Sequence, residues 1–367
     1  MTTPLLFSRR AMLGTAAALA VPPFAARAAY GDDAYAGAIV IDAQGGVDTP
    51  FDAMAQAALR RVGLTAISQT MGRVGNGDDR YVSVIEGIAA TRGLIATHPA
   101  LLSLVTSAAD LRAAKAAGRT GVILNVQDTS WMGSDLGRIA TLANLGIRVV
   151  QLTYNVQNLA GDGAVEPGDG GLSILGRKII AEVEKQKLVI DFSHGGRLTM
   201  AEGVAAAKGM PVITHTGCRA LADHPRNTDD ATLRAVADKG GFVGIYLMPY
   251  LAPDRTVSAE DVIRHIDHAF QVCGEDHIGI GTDGPIQPQI ADADYRKNMK
   301  AVAEDRVRQG IAAPGDTPDS ILFVEALNGP DKFRELAGLL SARGWPAARI
   351  EKLLGGNVAR VFGSVWG

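Results

Sequence analysis

Short apolar, β-branched runs recur along the chain, and stretches of helical periodicity separate them. The runs are Ala38-Ile-Val-Ile-Asp42, Leu64-Thr-Ala-Ile-Ser68, Leu101-Leu-Ser-Leu-Val105, Gly121-Val-Ile-Leu-Asn125 and Arg148-Val-Val-Gln-Leu-Thr153. Four more follow: Leu188-Val-Ile-Asp-Phe-Ser-His194, Pro211-Val-Ile-Thr-His215, Gly241-Phe-Val-Gly-Ile-Tyr246 and His277-Ile-Gly-Ile-Gly281. Between them, residues 136–145, 175–187 and 231–239 carry apolar positions at helical spacing. Apolar strands alternating with helices predict a parallel sheet buried on both faces. So many units in one domain predict a closed, single-domain (β/α)8 TIM-type barrel, an α/β fold. Nine runs compete for eight places, and 64–68 and 101–105 are the weakest. Residues 158–171 form a Gly/Asp/Asn-rich loop after a strand, and 248–257 carry two prolines after another. Either is a lid, a substrate wall or a plain surface connection. A helical tail is expected over roughly 317–360.

In such a barrel the C-terminal strand ends share one face, where the active site lies. Two of the runs end on His194 and His215, and the run from His277 continues Gly281-Thr-Asp283. One histidine at a strand end is ordinarily packed or hydrogen-bonded. Two, with an aspartate at a later strand, make a set that suits a catalytic zinc with a position open to water.

The 367 residues are 47% hydrophobic and 20% charged, which suits a large buried core. The net charge of −3 supplies no basic face for nucleic acid. Ser8-Arg9-Arg10, an apolar stretch over 11–21 and Ala26-Arg27-Ala28 read as a twin-arginine signal peptide over residues 1–28. Residues 29–367 are then the barrel domain, exported folded by the twin-arginine machinery to the periplasm or beyond. The apolar stretch is too short for a stable membrane anchor. Cys218 and Cys273 are the two cysteines. They are expected as free thiols, although an oxidising compartment permits a disulfide and Cys218 lies close to His215.

An ordered series of motifs spans residues 39–362. It runs Asp191-Phe-Ser-His194, Pro211-Val-Ile-Thr-His215, His224-Pro-Arg-Asn227 and Lys239-Gly-Gly-Phe-Val-Gly-Ile245. Then come His265-Ile-Asp-His268, His277-Ile-Gly-Ile-Gly-Thr-Asp283 and Gly355-Gly-Asn357 before Arg360. The series resembles the renal, or membrane, dipeptidase family of zinc peptidases, among the amidohydrolase-like metal barrels. The resemblance implies a (β/α)8 barrel with two zinc ions bridged by a carboxylate, where activated water attacks a dipeptide's peptide carbonyl. It implies that His194 and His215 bind one zinc, that Asp283 binds the other and handles the proton, and that Arg226 grips the substrate carboxylate. It also implies pairing as a homodimer, for which the sequence shows no interface of its own.

The chain departs from that pattern at four positions. Where the family has Asp-Gly-His-Asn-Asp, this chain reads Asp42-Ala-Gln44-Gly-Gly46, so Gln44 stands for a histidine and Gly46 for an aspartate. Gln127 stands where the bridging glutamate is expected, and Tyr154 where a histidine follows Leu152-Thr153. Each change removes a strong ligand or a charge, and glutamine supplies no negative charge to offset paired cations. The expected centre is therefore a single zinc held by His194 and His215, completed by Gln127, Asp283 or water. Asp48 is a weak substitute for Gly46. Asp283 then serves as general base, and the Tyr154 hydroxyl binds substrate and stabilises an oxyanion. Asp191 either orients His194 or caps nearby backbone. His224 supports its loop, while His265 and His268 pack or hydrogen-bond on the barrel exterior. Three functions fit: hydrolysis of a dipeptide or related small amide with a free carboxylate, a non-hydrolytic tailoring reaction on the same scaffold, and non-catalytic binding of a carboxylate ligand.

Overall fold

A computed structural model describes residues 30–75, 77 and 79–367. The signal peptide over residues 1–28 lies outside the described residues. Strands β1 (Ile41–Gly45), β2 (Ala66–Thr70), β3 (Leu102–Leu104), β4 (Thr120–Val126) and β5 (Ile147–Gln151) lead into β6 (Val189–Asp191). Strands β7 (Val212–Thr216), β8 (Phe242–Ile245) and β9 (Ile278–Ile280) complete the set. All pairings are parallel, in the order β1-β2-β4-β5-β6-β7-β8-β9, with β3 attached to β4 alone. The surplus ninth run is thus 101–105, while 64–68 contributes a true barrel strand, β2.

Buried carboxylates stitch the barrel where its ladders thin. Asp42, at the heart of β1, accepts from the Thr282 N–H at 2.8 Å and its hydroxyl at 2.6 Å, just past β9. The Asp283 N–H also donates to the Gln44 carbonyl at 2.8 Å, and Gly46 bridges Pro285, so the β9 end closes onto β1. Between β6 and β7 a single register pair, Asp191 with Val212, carries the ladder. There Asp191 accepts from the Thr214 N–H at 3.0 Å and its hydroxyl at 2.6 Å. Charge-assisted bonds of this kind are stronger than neutral ones, which suits them to positions with few ladder bonds.

The floor of the barrel is filled from the far end of the chain. Val358, Val361, Phe362 and Trp366 of the helix Asn357–Trp366 pack with Ile41, Ile123, Val189 and Phe242 in one buried cluster. Gly355 makes that docking feasible, since a Cβ there would stand 2.6 Å from the Ile41 nitrogen. Asn357 donates to the Ile278 carbonyl at 2.8 Å, which accounts for the Gly-Gly-Asn motif.

The helices Gly137–Leu145, Ile174–Lys185 and Asp230–Asp238 match the periodic stretches to within two residues at each end. The tail departs from expectation. Residues 317–331 hold only the 3-10 turn Glu325–Leu327, and the helices Lys332–Ala342, Ala347–Glu351 and Asn357–Trp366 follow. Pro318, Gly329 and Pro330 interrupt any earlier helix, because proline lacks the N–H and glycine favours the coil. The helix Ala293–Arg308 was not anticipated. Its buried face is only Met299 and Ala303, so its apolar periodicity is weak.

Candidate metal centre

The ends of β6, β7 and β9 bring His194, His215 and Asp283 together, with one ligand atom from each inside a 4.8 Å span. His194 and Asp283 lie in the left-handed region, at φ 63° and 56°, as two of the three described non-glycine residues with positive φ. A strained backbone of this kind persists where surrounding contacts over-determine it, and it clusters at functional sites.

The hydrogen bonds decide which imidazole nitrogens are free. Asn155 Nδ2 donates to the Ile311 carbonyl at 2.7 Å, which turns its Oδ1 toward His194 Nδ1 at 2.6 Å. An amide oxygen only accepts, so His194 carries its proton on Nδ1. The Thr214 hydroxyl donates its one proton to Asp191, so His215 Nδ1, 2.9 Å from that oxygen, must donate to it. Both Nε2 atoms therefore bear lone pairs, and both are buried without a hydrogen-bond partner. Unpaired buried acceptors are costly, about 1–3 kcal/mol each, unless a ligand meets them. A divalent metal fits this donor set: two neutral imidazoles with their second nitrogens held, and one carboxylate.

Burial, with Arg226 nearby, holds both imidazoles well below the usual histidine range. They stay neutral, as metal ligation requires. Burial also pushes the Asp283 carboxyl up to about 6, against the pull of Arg226 and Arg306. The Tyr154 ring stacks on His194 at 4.1 Å between centroids, and among the described residues its hydroxyl has no hydrogen-bond partner. Arg226 is 3% exposed, yet among the described residues its Nη2 has no hydrogen-bond partner and no carboxylate forms an ion pair with it. A guanidinium that lies over the Tyr246 ring, 5.9 Å from its centroid, with no ion pair is a ready site for an anion.

The residues at the departing positions have other partners. Gln44 Nε2 donates to the Thr70 hydroxyl at 3.0 Å, and its Oε1 accepts from Asn125 Nδ2 at 3.1 Å. Asn125 also donates to Ser68 at 2.8 Å and accepts from Thr70 at 3.1 Å. This network is neutral and spends the amide groups of Gln44 on protein partners. Gly46 faces open space, where a Cβ would meet nothing within 4 Å. Asp48 turns aside and accepts from the Gln287 N–H at 3.1 Å, so it does not stand in for Gly46. Gln127 is half-buried at the end of β4, its carbonyl held by Gln151 and its side chain without a hydrogen bond among the described residues.

The remaining candidates fall into place as follows. Of the two readings for Asp191 the structure shows the capping one: it accepts from the Ser193 and Thr214 N–H groups, and it reaches His215 through the Thr214 hydroxyl. Cys218 points away from the centre, with Sγ 3.4 Å from the His265 carbonyl, and both cysteines are free and buried. His224 does brace its loop, accepting from the Arg226 N–H at 3.2 Å. His265 is held by the Cys218 N–H and the Leu251 carbonyl, and His268 by Asp230. The sequence reading missed Asn155 and Thr214 as orienting groups, and Arg306 near Asp283. Asn155 follows Tyr154 directly, but its partner is 39 residues away and no local pattern marks it.

Comparison with known proteins agrees with this fold. Residues 41–307 match the membrane dipeptidase family, peptidase family M19. An amidohydrolase structure from Pseudomonas aeruginosa superposes with a TM-score of 0.79 at 31% identity, covering 91% of this chain and 98% of that one. A metallo peptidase from Rhodobacter sphaeroides, bound to a phosphinate mimic of the dipeptide L-Ala-D-Ala, shares the fold with a TM-score of 0.73. That likeness is at 16% identity over 89% of this chain and 99% of the other. Dipeptidase verJ from Clonostachys rogersoniana is 25% identical over 293 residues, 78% of this chain and 67% of its own length.

Proposed function

The chain belongs to the membrane dipeptidase family, a metallohydrolase family, and on that premise we propose that it hydrolyses a dipeptide or related small amide with a free carboxylate, using one zinc ion. The observation that carries this reading is the pair of orphaned Nε2 atoms beside Asp283 and the unpaired Arg226. His194 and His215 would hold the ion, with Asp283 or Gln127 completing its shell. The closed amide network around Gln44 and the void at Gly46 support a single ion rather than two.

A bound zinc ion supplies Lewis acidity, which polarises a carbonyl and makes water a better nucleophile near neutral pH. Arg226 binds the substrate carboxylate and so places the scissile amide. Asp283 accepts the proton from the attacking water and returns it to the departing amine. The Tyr154 hydroxyl donates to the oxygen that gains charge during attack. Asn155 and Thr214 keep both imidazoles in the ligating tautomer.

Ser8-Arg9-Arg10 and Ala26-Arg27-Ala28 support twin-arginine export to the periplasm. Among the described residues no helix is long and apolar enough to cross a membrane. The orphaned imidazoles favour a metal enzyme over a bare carboxylate binder. The test is metal analysis of the purified mature protein alongside a dipeptide panel. About one zinc per chain and chelator-sensitive release of amino acids are expected. Full turnover in metal-free protein, or no affinity for any divalent ion, would overturn the proposal.

A further inference from the structure

His194 is oriented from outside its own loop. Its Nδ1–H donates to Asn155 Oδ1 at 2.6 Å, and the Asn155 amide is in turn fixed by the Ile311 carbonyl at 2.7 Å. Ile311 belongs to residues 309–316, which follow the helix Ala293–Arg308 and lie beyond the family-matched span of 41–307. That segment is itself pinned at several points. The Asp316 side chain, 4% exposed, accepts from Arg306 Nη1 at 3.0 Å. It also accepts from the Ala313 N–H at 3.0 Å and the Tyr250 hydroxyl at 2.6 Å. The Pro314 carbonyl meets His224 Nε2 at 2.8 Å, and His224 braces the Arg226 backbone. One short segment thus reaches both the metal ligand His194 and the loop of the anion-binding Arg226.

We propose that residues 309–316 act as a clasp that sets the metal affinity of His194, with Asn155 as the positioning residue between them. The inference rests on the reading that His194 holds a metal. Its physical basis is the two-faced amide of Asn155. With the Ile311 carbonyl in place, the amide NH2 is engaged and the oxygen faces His194. With that carbonyl displaced, the amide is free to flip and present NH2 to Nδ1. The imidazole then takes the other tautomer, with its proton on Nε2, and the lone pair that binds metal is gone. Seating of the clasp and readiness of the metal site are therefore one event.

The test is the zinc dissociation constant, measured by chelator competition on full-length mature protein. Asn155→Ala should weaken zinc by about 10–100-fold, the usual effect of losing a group that orients a ligand. Asp316→Ala touches neither Asn155 nor a ligand, and should weaken zinc by about tenfold. Combined with Asn155→Ala it should add nothing, since the clasp acts through Asn155. Tyr250→Phe removes one clasp bond and serves if Asp316→Ala folds poorly. Asn155→Asp can only accept from His194, so it should restore affinity to within roughly threefold of the parent. A purely structural role predicts instead that a buried carboxylate there does harm. Parental affinity in Asn155→Ala, or additive losses in the double variant, would overturn the clasp alone. A parent protein that binds no zinc would overturn the metal centre with it.

Discussion

At the residue scale the centre is defined by what its atoms lack. Two imidazole nitrogens and one guanidinium nitrogen are buried without partners among the described residues, while the Asn155 amide and the Thr214 hydroxyl beside them are bonded. Arg226→Lys keeps the charge but loses the planar fork. It should raise KM for dipeptides about tenfold or more, with a smaller change in kcat, in steady-state assays. Equal falls in kcat and kcat/KM would assign Arg226 to the transition state instead. Tyr154→Phe keeps the stack on His194 but removes the hydroxyl. It should lower kcat by about 10²–10³-fold while zinc affinity stays near the parental value. A loss of zinc in that variant would mean that the hydroxyl supports the metal site rather than the reacting oxygen. Of these residues, His194, His215, Asp283 and Arg226 were legible from motif order. Asn155 and Thr214 were not, because a hydrogen-bond partner is a property of the packed chain and not of the spacing along it.

At the element scale, the helix Ala259–Cys273 shows how a buried neutral histidine ties a helix to the barrel. His265 accepts from the Cys218 N–H at 2.9 Å, and its other nitrogen donates to the Leu251 carbonyl at 3.1 Å. Burial, chiefly, holds its pKa down at about 4. Between that value and the ordinary histidine value of about 6.5, the unfolded chain binds a proton that the folded chain refuses. Stability must therefore fall as pH drops through this window, by at most about 1.4 kcal/mol per pH unit. His265→Gln should lose less stability than the parent between about pH 7 and pH 4.5, measured by urea unfolding at each pH. Equal losses would show that His265 does not carry the effect. The strand pattern foretold the elements themselves, including the doubtful 64–68. It narrowed the surplus run to 64–68 or 101–105 but could not choose between them, since a short apolar run looks alike inside the barrel and beside it.

At the scale of the whole molecule, the proposed single-zinc centre turns on three residues that supply no charged ligand. Gln44 and Gly46 sit at the end of β1 and Gln127 at the end of β4, and Gln44 is locked into a neutral network with Thr70 and Asn125. The space at Gly46 is open, so the scaffold still has room for a ligand there. The triple variant Gln44→His, Gly46→Asp, Gln127→Glu should bind about two zinc ions per chain against one in the parent, by elemental analysis. One ion in both proteins would mean that the surrounding network, more than the three ligands, excludes the second. Zinc should also stabilise the parent by about 2.7 kcal/mol at a hundredfold excess over its dissociation constant, visible as a rise in Tm.

The order of apolar runs by itself determined the barrel, because strand and helix periodicities are local and repeat along the chain. It also determined which strand ends carry imidazole and carboxylate, and which have lost them, since residue identity needs no coordinates. Only the tertiary structure decided which nitrogen of each imidazole is free, that Asp191 serves His215 rather than His194, and that a segment 156 positions from Asn155 holds its amide in place. Those outcomes depend on directional bonds of about 3 Å between groups remote in sequence, and only the closed barrel brings such groups within that reach.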